Sequence, residues 1–126
     1  MAIGKKIGAF ETHSTSITII PRDGHMPSSE MNIEGVATGD VSGQLYGTMR
    51  FKSDDGKSGT YTFTSVLVSE DGQITSVAGS GTFTSEAMGI WHVAGVSDVR
   101  NRQSVAISGL IDLKNHTFNG EVFDRD

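Results

Sequence analysis

Polar and apolar positions alternate with a period of two along most of the 126-residue chain, and helical spacing is almost absent. From Gln44 to Lys52, "QLYGTMRFK", Leu45, Gly47, Met49 and Phe51 fall on one face and Gln44, Tyr46, Thr48, Arg50 and Lys52 on the other. The turn "SDDGKSG" follows, and then Thr60 to Val68 sets Tyr61, Phe63 and Leu67 against a row of threonines. A second acidic turn, "SEDGQ", has Gly72 able to take positive φ and leads into a strand from Ile74 to Thr84. Further strands are predicted at Ile90 to Val96, Ser104 to Leu113 and Thr117 to Phe123, with one upstream at Met31 to Thr38. Two separate N-terminal runs, "IGAF" and "SITII", complete the set, and "PRDGHMPSS" is the one long irregular connection.

About eight strands joined by short polar turns predict an all-β fold, a closed antiparallel up-and-down barrel in one domain spanning residues 1–126. A two-sheet sandwich is the rival architecture. The chain has 16 glycines. Seven of them, Gly35, Gly47, Gly79, Gly81, Gly95, Gly109 and Gly120, fall inside predicted strands, where they allow bends and close approach across a narrow barrel.

Composition narrows the function classes. A formal net charge of −5 disfavours nucleic acid and anionic membrane surfaces as partners. No run reaches the roughly 18 apolar residues of a membrane helix, and the N-terminus lacks a signal-peptide core, so a cytoplasmic protein is expected. There is no cysteine, hence no disulfide, thiolate nucleophile or Cys-ligated zinc. The four histidines, His13, His25, His92 and His116, show no metal-ligand spacing. "ATGDVSG" leads into a strand, not a helix, and is no phosphate loop. No metal or cofactor is implied.

The segments "GVATGDVSGQLYGTMRF", "GTYTFTSVLVSEDGQITSVAGSGTF" and "GIWHVAGVSD", covering roughly Glu34 to Asp98, resemble the small β-barrels related to allene oxide cyclase, and are similar to barrel cyclases of polyketide pathways. The resemblance lies in strand rhythm and glycine placement. It implies a calycin-like barrel that holds a hydrophobic small molecule, as a binder or as a cofactor-independent isomerase or cyclase. No catalytic set of those families maps onto this chain.

Candidate residues come from the pattern itself. Trp91, Tyr61, Phe63 and Met49 are the candidate ligand-binding residues, since rings and a flexible thioether would shape an apolar lumen. His92 and Glu34 are the candidate catalytic groups: His92 neighbours the only tryptophan, and Glu34 lies mid-strand, where desolvation would raise its pKa. Alternation places Trp91 and His92 on opposite faces, and the pattern turns Glu34 outward. A structural or interaction barrel whose interior is filled by side chains is the alternative function. Outer-face Val36, Val66 and Val68 would leave apolar surface for a homo-oligomer to cover.

Overall fold

The computed structural model describes residues 3–125. Eight strands run in chain order: β1 (Ile3–Ile20), β2 (Ser28–Gly39), β3 (Gly43–Ser53), β4 (Ser58–Val68), β5 (Ile74–Ala87), β6 (Ile90–Val99), β7 (Val105–Asp112) and β8 (Thr117–Arg125). Each pairs antiparallel with the next, and β1 closes on β8, so the architecture is an up-and-down barrel.

The turns form where the sequence supplies acids and glycines. Asp55 accepts the backbone N–H groups of Ser58 and Lys57 at 2.9 and 2.8 Å, which holds its carboxyl below the usual range. Asp71 is held low by the Ser69 hydroxyl and the Gln73 N–H, and Asp112 by the backbone and side-chain amides of Asn115. Gly56 and Gly72 take φ of +78° and +86°, the left-handed region these hairpins require.

The N-terminus differs from expectation. "IGAF" and "SITII" belong to one 18-residue strand and are not separated by a turn. The intervening "ETHST" contains no glycine, proline, asparagine or aspartate to turn the chain, and its alternation suits a strand paired on both sides. Glu11 and His13 face out, while Thr12 is buried with its hydroxyl donated to the Phe118 carbonyl at 2.6 Å. A bulge between Ser14 and Ser16 shifts the register once on the way to Ile20.

One core lies inside the barrel, with Met49, Val93, Ile111 and Val105 the most deeply buried large side chains. Several of the strand glycines serve as sockets for rings. Gly81 and Gly95 are paired across β5 and β6, and a Cβ on either would strike the Tyr61 ring or hydroxyl. Gly109 and Gly120 are paired across β7 and β8 under the edge of Phe10, whose Cζ would lie 2.6 Å from a Cβ at Gly120. Much of the room the glycines create is therefore occupied by aromatic side chains of the same chain.

Candidate functional site

The two ends of the barrel differ. At the end carrying the β3–β4 and β5–β6 turns, Trp91 points inward and stacks on Phe83 at 4.8 Å between centroids. Phe51 meets both rings edge-on, at 5.3 Å from Trp91 and 5.4 Å from Phe83. These three rings form a plug.

Toward the other end lies a cavity of about 60 Å³ whose exposed lining is wholly apolar. Val41, Leu45, Leu67, Val77, Val99 and Val105 form its upper wall, and Phe10, Met49, Tyr61, Phe63 and Phe118 lie deeper. Above it, in the turns between β2 and β3 and between β6 and β7, a recess of about 230 Å³ is lined by Asp40, Ser42, Arg100 and Arg102. The recess shares Val41, Leu67 and Val99 with the cavity, so a polar mouth stands directly over an apolar interior.

Three of the four residues expected to line a lumen do so: Met49, Tyr61 and Phe63. Trp91 does not; it belongs to the plug. Tyr61 is 3% exposed, its hydroxyl has no hydrogen-bond partner, and burial pushes its pKa up to about 12. Ser65 on the same strand carries a second buried hydroxyl without a partner.

His92 and Glu34 lie outside the lumen. Glu34 is opposite His13 in the β1–β2 ladder, and its Oε1 is 3.2 Å from His13 Nε2 on the outer surface. His92 lies opposite Thr84 and Leu110, with Nε2 3.1 Å from the Ser108 hydroxyl. Their strands, β2 and β6, are four positions apart in a ring of eight, on opposite sides of the barrel. The structure brings neither to the cavity nor to the other.

Sequence reasoning missed the contribution of β1, β8 and the β2–β3 turn. Phe118 and Val122 share a parity that alternation within β8 could have revealed. Val41 lies in a turn, where no periodicity signals burial. Among the described residues, no three histidine, aspartate or glutamate side chains cluster as a metal site, and no helix is long and apolar enough to cross a membrane. No protein-family model, no curated protein and no solved structure matches this chain.

Proposed function

We propose that the barrel is a one-ended receptacle for a small apolar molecule, or for the tip of a longer apolar chain. The observation that carries this reading is the apolar cavity of about 60 Å³ lying directly beneath the polar mouth. An apolar cavity stays dry, so a guest that fills it gains contacts and displaces no bound water. The cavity is less than half the roughly 150 Å³ known to admit benzene, which limits a guest of the resting barrel to a few heavy atoms. Met49, unbranched and flexible, is the wall side chain best able to yield to more.

Binding without turnover fits the lining better than isomerase or cyclase activity. Tyr61 is its one titratable side chain, and with its pKa near 12 it stays protonated at neutral pH, a donor and not a base. Glu34 and His92 are on the outer surface and cannot complete an acid–base pair there.

The test is xenon titration of protein labelled at its methyl groups. Saturable shifts confined to the lining methyls, those of Val41, Leu45, Leu67, Val77, Val99 and Val105 among them, are expected. Ala37→Leu, which grows into the cavity, should abolish them and leave the rest of the spectrum in place. If the lining methyls stay still while surface methyls drift linearly, the barrel is filled and the structural reading replaces this one.

A further inference from the structure

Closure of the barrel is uneven. The β1–β8 ladder ends at His13 opposite Thr117, with one further bond from the Ser14 N–H to the His116 carbonyl at 2.8 Å. The β1–β2 ladder continues to Ile20 opposite Ser28. Among the described residues, Ser16 to Ile20 are therefore paired on one side only. Thr15 to Ile19 are all exposed, Ile17 at 44% and Ile19 at 63%. A recess of about 190 Å³ marks the step where β8 stops and β1 goes on, between Ser14–Ile17 and His116. The far side of the hairpin is tied down by the β2–β3 ladder from Ser29 onward and by Arg22 reaching Asp54 at 3.7 Å. The free edge is thus held out from a fixed sheet.

Exposed edges are normally blunted by charge, proline or a bulge, because their unpaired N–H and C=O groups accept any extended chain. Here the bulge sits at the base of the edge and Pro21 and Arg22 lie past its tip. Nothing between them protects it: "TSITII" has no charge, no proline, no glycine and three isoleucines. Such a segment favours the strand state strongly.

We propose that this edge pairs antiparallel with the same edge of a second copy of the chain, across a two-fold axis normal to the sheet. That axis preserves the faces of the sheet, so residues of like parity stand opposite one another. The Ser14 position is already taken by His116, which confines the new ladder to Ser16–Ile20 and centres it on Thr18. Ile17 then faces Ile19 of the partner subunit, and the reverse, with Thr18 meeting its own copy on the axis. The edge is self-complementary in this register: Ile17 and Ile19 each meet an isoleucine of the other copy, and because the edge carries no charge, two chains of net charge −5 meet there without like charges in contact. The outer-face valines expected to drive association make a poorer case: Val66 and Val68 are half-buried by their neighbours, and Val36, though exposed, lies on a strand already paired on both sides.

The test combines solution mass with cross-linking on the full chain. Light scattering over a concentration series should give the mass of two chains. Thr18→Lys places two ammonium groups on the axis and should shift the dissociation constant at least tenfold toward monomer, with an unchanged far-ultraviolet spectrum because Thr18 is exposed. Thr18→Cys should cross-link on mild oxidation, because opposed Cα atoms in an antiparallel pair lie about 4.5–5.5 Å apart, within disulfide reach. The chain has no other cysteine to compete. Ser16→Cys, displaced from its own copy by roughly 13 Å along the ladder, should not cross-link. A monomer at the highest concentration, a dimer indifferent to Thr18→Lys, or equal cross-linking of the two cysteine variants would each overturn the proposal.

Discussion

At one end of this barrel Phe51, Phe83 and Trp91 close the lumen with rings 4.8 to 5.4 Å apart. At the other, Val41, Leu67, Val77 and Val99 leave about 60 Å³ of apolar space. Both ends obey the same inward alternation; they differ in the size of the side chains sent inward. Three large rings, one each from β3, β5 and β6, converge inside the barrel at the plug, whereas the mouth receives smaller aliphatic side chains that leave space between them. An eight-strand barrel is just wide enough for side chains to fill. The choice between a filled and a hollow half therefore turns on a few side-chain volumes.

The largest test of that contrast is truncation. Phe83→Ala should cost about 3–5 kcal/mol, since it removes a buried ring with two aromatic partners and leaves a void the plug cannot collapse into. Leu67→Ala, beside space that already exists, should sit near the lower end of the roughly 2–5 kcal/mol range for such changes. It should also enlarge the cavity enough to improve binding of a probe bigger than xenon. Chemical denaturation measures both costs, and equal losses would show that the mouth is as tightly packed as the plug.

Tyr61 lies between the two halves, and its ionisation gives the next effect. Its folded pKa near 12 stands above the ordinary value of 10. The unfolded chain therefore releases the proton first, and stability present below pH 10 is lost as pH rises toward 12. A shift of that size corresponds to roughly 2–3 kcal/mol. Tyr61→Phe should remove this component of the alkaline limb, read as the difference between the two proteins' stability curves from pH 9 to 12. At neutral pH the variant should be as stable as the parent or slightly more so, because the hydroxyl it deletes has no partner. A parallel pair of curves would mean that Tyr61 ionises as freely in the folded barrel as in the unfolded chain.

The fold was readable because its determinants are local. Alternation set the faces of β3, β4 and β7, and Asp55, Gly56, Asp71 and Gly72 marked two of the turns. The continuity of β1 was harder to read, because the polar "ETHST" looks like a connector until partners appear on both sides. The candidate site was half legible. Parity placed Met49, Tyr61 and Phe63 inward and kept His92 off the face of Trp91. Whether an inward residue lines a cavity or fills one depends on neighbours far away in sequence. Phe10 over Gly109 and Gly120 is an example: about 100 residues separate a ring from its socket, and no period within one strand encodes that match.

The smallest expected effect tests the separation of the two ends. Trp91 is half-buried against Phe83 and Phe51 and does not line the cavity, so its emission should show no saturable change when a guest fills the mouth half. A tryptophan moved to the mouth, as in Trp91→Phe with Val41→Trp, whose ring has the recess above the cavity to occupy, should respond to the same guest. Silence at Trp91 alone therefore says nothing against binding; it is informative only beside the relocated reporter. If both tryptophans respond with one affinity, the plug moves when the cavity fills. Phe51, the ring nearest Tyr61 at 6.3 Å, would then be the contact through which the guest is felt at the far end.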